Sequence, residues 1–202
     1  MDILLIGKSG KMGRALSQMI QQDDRLQEVE QGGDLVIDFS NPDGTRKGIL
    51  EGKPLVCGTT GLPSEIFSEL KNFSQKYPVL YSPNFSLGIA LFFHILDQMG
   101  PKLKKFSSPS ISETHHVHKK DAPSGTALHM ANLLEMDPTQ IETIREKEVV
   151  GEHQVDFLFD NEILSLSHKA LSRNAFAYGA LEAAKFLLNK PPKLYSIGDL
   201  FD

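Results

Sequence analysis

Between residues 113 and 131 the chain reads ETHHVHKKDAPSGTALHMA, with three histidines and two lysines in the six positions 115–120, followed at once by a Pro-Ser-Gly turn. An imidazole that titrates near neutral pH is suited to giving or taking a proton, and a lysine adds fixed positive charge. If the segment from 108 stays extended to Lys119, alternation puts Glu113, His115, Val117 and Lys119 on one face and Thr114, His116 and His118 on the other. Asp121 or Ser124 then caps a helix beginning near Gly125, leaving the N–H groups of Gly125 and Thr126, with Lys119 beside them, as a site for a carboxylate. Two other readings stay open. His115, His116 and His118 can be metal ligands, although ligands on alternating faces of one strand converge poorly, and no metal is assigned. The stretch can also be a solvated strand edge.

A second constellation lies at the start of the chain. In ILLIGKSGKMGRAL, Gly7, Gly10 and Gly13 stand between a strand and a helix, where glycines permit a tight turn and close approach to a diphosphate. The spacing is G-x-x-G-x-x-G, with Ser9 in place of the more usual second glycine, and a bare strand–helix turn is the alternative. The embedded GKS is not a P-loop, because the leading glycine of that motif would fall on Asp2, inside the strand. Three further segments, DFSNPDG, CGTTG and YSPNFSLG, each follow a strand candidate and so share one edge of a sheet.

The elements that must hold these residues are legible as short apolar runs alternating with amphipathic ones. Strands are expected over 2–6, 34–39, 54–58 and 78–82, with helices over 11–20 and 63–76, a βαβ series that predicts a doubly wound parallel sheet. From 85 to 100 the chain is apolar nearly all round, as for a helix buried on every side, with His94 read as a core histidine and Phe85, Phe92 and Phe93 as packing. Beyond it come the 108–118 strand, a helix over 125–136 and a hairpin of 152–160 with 162–171. An Ala-rich helix before Pro191-Pro192 returns to the first domain. The fold class is therefore α/β, a Rossmann-like doubly wound parallel sheet in shortened form over 1–85, completed by 173–202, plus an α+β domain over 86–172.

Composition narrows the function. At 202 residues the chain can bury about 70% of its unfolded surface. A net charge of −5, with bases interleaved among acids, argues against a nucleic-acid partner. The single cysteine, Cys57, sits at a strand end and fits a reducing compartment. No run approaches the roughly 20 apolar residues of a membrane span, so a cytoplasmic protein without a membrane partner is expected.

ETHHVHKKDAPSGTAL closely resembles the E-x-H-H-x-x-K-x-D-A-P-S-G-T-A signature of the 4-hydroxy-tetrahydrodipicolinate (dihydrodipicolinate) reductases of diaminopimelate and lysine biosynthesis. GKSGKMG, VIDFSNP, CGTTG, SPNFSLG and HKALSRNAFAYGALEAA are similar to further family segments, in order over nearly the whole chain. The resemblance implies a dinucleotide-binding domain and a second domain that binds substrate and builds a homotetramer. It implies that His115 is the catalytic acid/base and Lys119 a proton donor, with His116, Gly125 and Thr126 holding a small cyclic dicarboxylate. Gly7, Lys8, Ser9, Gly10, Lys11 and Met12, then Gly58, Thr59 and Thr60, then Ser82, Pro83, Asn84 and Phe85 match the segments that hold NADH or NADPH. The departure lies after the first helix, where QQDDRLQEVEQGG leaves the ribose-binding strand very short or missing and Asp24, Arg25 and Glu28 as possible contacts. The reaction implied is hydride addition to a conjugated imine with loss of water; the rival from another class is a non-catalytic dinucleotide sensor.

Overall fold

The structure is a computed structural model describing residues 1–201; the closing segment read from the sequence extends to Asp202, which lies outside the described residues. The chain opens with β1 (Asp2–Ile6), α1 (Lys11–Gln21), β2 (Gln27–Val29), β3 (Leu35–Asp38), α2 (Pro42–Leu50), β4 (Leu55–Cys57), α3 (Ser64–Phe73) and β5 (Val79–Tyr81). There follow α4 (Leu87–Leu103), β6 (Ser108–His115), α5 (Gly125–Leu133), β7 (Glu142–Arg145), β8 (Glu152–Leu158) and β9 (Ile163–Lys169). Helix α6 (Asn174–Leu187), β10 (Leu194–Tyr195) and a 3₁₀ turn (Ile197–Phe201) follow these. Two compact units result: Met1–Leu87 with the segment from Arg173 onward, and Gly88–Ser172.

In the first unit β3 and β4 are apolar without alternation because helices cover both faces of their sheet, and they are buried throughout. Six parallel strands run in the order β10-β5-β4-β3-β1-β2. On one face Leu16, Ile20, Ala180 and Leu187 of α1 and α6 pack on Ile3, Leu5, Ile37 and Val56. On the other, Ile49 of α2 and Leu70 of α3 meet Val36, Leu55 and Val79. Each large apolar side chain so buried contributes about 1.5–3 kcal/mol. The chain passes from β1 outward to β2 and returns to β3 on the far side of β1, so the topological switch point lies between β1 and β3. The doubtful strand after α1 exists as β2, three residues paired to β1 at the sheet edge. Helix α2, unread in the sequence because PDGTRKGIL carries two glycines, is fixed by Asn41, whose side chain accepts from the N–H of Gly44 at 3.0 Å, and by Pro42 in its first turn.

The second unit is a four-stranded sheet in the order β7-β6-β8-β9, with β6 and β7 parallel and the other pairs antiparallel. Ile89, Phe92 and Leu96 of α4 and Met130, Ala131 and Leu134 from α5 and its C-cap close over Ile111, Val155 and Phe157. Two expectations fail here. Strand β6 stops at His115 and residues 116–119 form a turn, the N–H of Lys119 donating to the carbonyl of His116 at 3.0 Å, so alternation does not carry Lys119 onto the face of His115. Helix α4 is buried on one side only, because α5 and the sheet cover that side; Leu91, Ile95 and Met99 are exposed, and so is His94. Among the described residues no helix is long and apolar enough to cross a membrane.

Candidate active site

The carboxyl edge of the parallel sheet is built from backbone. Gly7 adopts φ +87°, and a Cβ there would stand 2.4 Å from the carbonyl oxygen of Phe39, so the β1 turn is folded directly onto the end of β3. A Cβ on Gly13 would stand 2.2 Å from the carbonyl oxygen of Gly7, which is how closely α1 sits on that turn. No side chain caps α1 at Gly10 and no acid lies in its first turn, leaving the positive end of the helix suited to a phosphate. A Cβ on Gly58 would be 2.2 Å from the ring of Phe39, so the third loop is also held close to its neighbour. These cradles fit a dinucleotide.

A buried acid ties the loops together. Asp38, at the end of β3, accepts hydrogen bonds from Thr45 Oγ1 at 2.6 Å, Thr59 Oγ1 at 2.9 Å and Ser40 Oγ. The N–H of Ser40 donates to Thr59 Oγ1 at 3.1 Å, and Ser82 Oγ folds the fourth loop by donating to the carbonyl of Asn84 at 2.6 Å. Cys57 is buried beside this group, and burial together with the Asp38 charge pushes its thiol up to about 12. Of the residues proposed for the cofactor, Lys8, Ser9, Gly10, Lys11, Thr60 and Pro83 are exposed, while Gly7, Met12, Gly58 and Asn84 are half-buried. Thr59, Ser82 and Phe85 are buried, Phe85 against the ring of Phe39, so they shape the loops rather than present side chains. Past the glycines, Lys8 Nζ pairs with Glu30 at 2.5 Å; Glu28 accepts from Ser17 at 2.6 Å and Arg25 is turned to Asp23 at 2.8 Å.

In the second unit charge replaces backbone. Glu113 and His115 follow Ile111 on the inward-facing side of β6, and antiparallel pairing sets Glu113 opposite His153, which shares its face of β8 with Val155 and Phe157. Parallel pairing of β7 brings Arg145 level with His115. The Glu113 carboxylate accepts from the N–H of Ser124 at 3.0 Å and from Arg145 Nη2 at 3.1 Å through Oε1, while Oε2 faces His115 Nδ1 at 3.2 Å. Burial alone would raise this carboxyl, but hydrogen bonds from His115, Ser124 and Arg145 outweigh it and pull it down to about 2. His153 Nε2 is 3.3 Å from Ser124 Oγ, and burial, reinforced by the nearby His115, drops His153 to about 4, so it is neutral at pH 7.

The turn after β6 supplies the remaining groups. Ser124, not Asp121, caps α5, its Oγ accepting from the N–H of Ala127 at 3.2 Å. Gly125 opens the helix with nothing within 4 Å of where its Cβ would be. Lys119 is half-buried and pairs with Asp121 at 2.8 Å, close enough for its charge to help keep His153 neutral. His116 and His118 lie in the turn, ring centroids 6.3 Å apart, and do not converge with His115. Ligand atoms of Glu113, His115 and His153 do lie within 4.8 Å of one another. The Arg145 guanidinium on the same carboxylate opposes a cation there, and the set reads as proton-handling. Arg145, His153 and Asp38 were not singled out from the sequence; for Asp38 and His153 the available signal was a polar residue sharing a strand with buried apolar side chains, whereas Arg145, between half-buried and exposed neighbours on a four-residue strand, carried none.

Comparison with known proteins agrees over the whole chain. Residues 23–85 match the family described as dihydrodipicolinate reductase, N-terminus, and residues 88–201 the one described as dihydrodipicolinate reductase, C-terminus. The chain is 37% identical over 230 aligned residues to the 4-hydroxy-tetrahydrodipicolinate reductase of Xanthomonas campestris pv. campestris, covering 98% of this chain and 96% of that protein. It is 33% identical over 240 residues to that of Alkaliphilus oremlandii, covering 100% and 99%. Both alignments are longer than the chain, so these relatives carry residues that it lacks. The dipicolinate-bound dihydrodipicolinate reductase of Paenisporosarcina sp. TG-14 has the same fold, with a TM-score of 0.76 at 19% identity over 96% of this chain and 97% of that one.

Proposed function

The chain belongs to the dihydrodipicolinate reductase family, and on that premise we propose that it reduces 4-hydroxy-tetrahydrodipicolinate, by way of dihydrodipicolinate, to tetrahydrodipicolinate with loss of water, in diaminopimelate and lysine biosynthesis. It is a nicotinamide-dinucleotide oxidoreductase. The first unit holds the dinucleotide over Gly7–Met12, Gly58–Thr60 and Ser82–Phe85, and when bound the reduced nicotinamide supplies the hydride. The glycine cradles at Gly7, Gly13 and Gly58 support this assignment. NADH and NADPH both fit: Glu30 suits the ribose hydroxyls of NADH, and its partner Lys8 suits the extra phosphate of NADPH.

The chemistry belongs to the second unit. Hydride addition to a conjugated imine builds negative charge that a proton must quench, and His115 is the acid that delivers it, a step worth roughly 10² to 10⁴-fold. Lys119 assists as a donor and, with His116, Gly125 and Thr126, binds a substrate carboxylate at the start of α5. The observation that carries the reading is a buried histidine facing a buried, ionised carboxylate two residues away, next to a helix start with open space over Gly125. The exposed Ile163 and Leu164 of β9, the last strand of its sheet, support assembly into a homotetramer. Purified protein given enzymatically generated substrate should oxidise NADH or NADPH, and pyridine-2,6-dicarboxylate should inhibit competitively; oxidation of neither cofactor would refute the assignment.

A further inference from the structure

His115 carries out a proton transfer only if one of its two ring nitrogens is committed to the protein and the other to the substrate. The structure commits Nδ1. It faces Glu113 Oε2 at 3.2 Å as a charge contact not aligned as a full hydrogen bond, and no other group among the described residues bonds either atom, so each is the only polar partner within reach of the other's free valence. The Glu113 side chain is fully buried and cannot swing away, because its Oε1 is pinned by the Ser124 N–H and by Arg145. Arg145 is itself fixed, donating from Nη1 to the carbonyl of Ile144 at 2.9 Å and from Nη2 to that of Asp121. On the other side of the ring stands Gly151, where a Cβ would be 3.1 Å from Nε2. A side chain there would crowd the nitrogen that has to reach substrate.

We propose that Glu113, locked in place by Arg145 and the Ser124 N–H, is the positioning residue of the reaction: it holds the proton on Nδ1 of His115, aims Nε2 at the substrate and stabilises the imidazolium. The proposal rests on the assignment of His115 as the acid. In each turnover the imidazolium gives its Nε2 proton to the substrate as the hydride arrives, and the Nδ1–H imidazole left behind stays on Glu113 until solvent returns a proton to Nε2. The competing partner for Oε2 is His153, 3.8 Å away, which burial keeps neutral at pH 7 so that it does not form an ion pair with the carboxylate. The charged and titratable groups around His115 are thus Glu113 on its own strand, Arg145 on β7, His153 on β8, and Lys119 and Asp121 in the turn.

Glu113→Gln separates this role from simple charge balance. Ser124 N–H and Arg145 both demand an acceptor at Oε1, so the amide oxygen takes that place and the NH₂ group faces His115 Nδ1. The ring is then held with Nδ1 as an acceptor, the wrong tautomer and harder to charge. We expect kcat to fall by about 10² to 10⁴-fold with KM and cofactor affinity nearly unchanged, as for the loss of an orienting acid in a catalytic triad. The basic limb of the kcat–pH profile should move to lower pH, and adding the change to His115→Gln should cost nothing further. Glu113→Asp, which keeps the charge, should lower kcat yet leave that limb in place. An unshifted profile in Glu113→Gln, or losses that multiply with those of His115→Gln, would overturn the proposal. A His115→Gln variant of nearly full activity would instead remove the acid assignment beneath it, so the two failures are distinct.

Discussion

At the edge of the parallel sheet the protein offers backbone: Gly7, Gly13 and Gly58 stand where a Cβ would collide within 2.4 Å, and the acid that ties Ser40, Thr45 and Thr59 together, Asp38, is buried. On the mixed sheet it offers side chains: Glu113, His115 and His153 point inward from neighbouring strands, and Arg145 closes on them. On the assignment proposed above, the first region would recognise by shape and by helix-start N–H groups, which suit a phosphate in any turnover state. The second would recognise by charge and proton location, which must change during the proposed reaction. Damage to the two should therefore register in different measurements.

The largest effect is expected in the second region. His115→Gln should lower kcat by about 10² or more without altering cofactor affinity, since a general acid contributes on that scale. In the first region, Gly13→Ala drives a methyl into the backbone of Gly7 and Lys8, and the overpacking, about 1–3 kcal/mol, should weaken dinucleotide binding by roughly 10 to 100-fold in equilibrium titration. Lys119→Ala should weaken pyridine-2,6-dicarboxylate by about tenfold and erase most of its advantage over monocarboxylate pyridines, whereas exposed Lys120→Ala should leave both intact. Equal inhibition by mono- and dicarboxylates would break the comparison at this point.

A smaller effect separates the regions by pH. His153 is held at about 4 in the folded unit against an ordinary value near 6.5, so the unfolded chain takes up its proton first as pH falls. The stability this group confers is complete above pH ~6.5 and is lost as pH falls from there toward 4, by about 1–2 kcal/mol at pH 5. Glu113, lowered to about 2, adds its own loss only below its ordinary value near 4.5. Thermal melts at pH 7 and pH 5 should show a drop in wild type that His153→Gln reduces; identical drops would place the acid sensitivity elsewhere.

The same contrast explains what could be read from the chain. The glycine turn, its flanking strand and helix, and the 152–171 hairpin are local patterns and stand in the structure where periodicity put them. Glu113 and His115 were also local, two positions apart. Their partners were not. Arg145 lies 32 residues beyond Glu113 and reaches it through a four-residue strand too short to announce itself, and His153 arrives by antiparallel register. Alternation also cannot say where a strand stops, which is why Lys119 was placed on a face that ends at His115. Asp38 was visible as an acid closing an apolar strand, but its three hydroxyl donors come from three separate positions on loops and α2.

Turnover measured against cofactor concentration, in Gly13→Ala and His115→Gln side by side, tests this division of labour most directly. Raising the dinucleotide to saturation should restore Gly13→Ala to within about threefold of wild-type kcat, because only ground-state binding was lost, and should leave His115→Gln as slow as before. Rescue of His115→Gln by cofactor, or a Gly13→Ala variant that stays slow at saturation, would contradict the account.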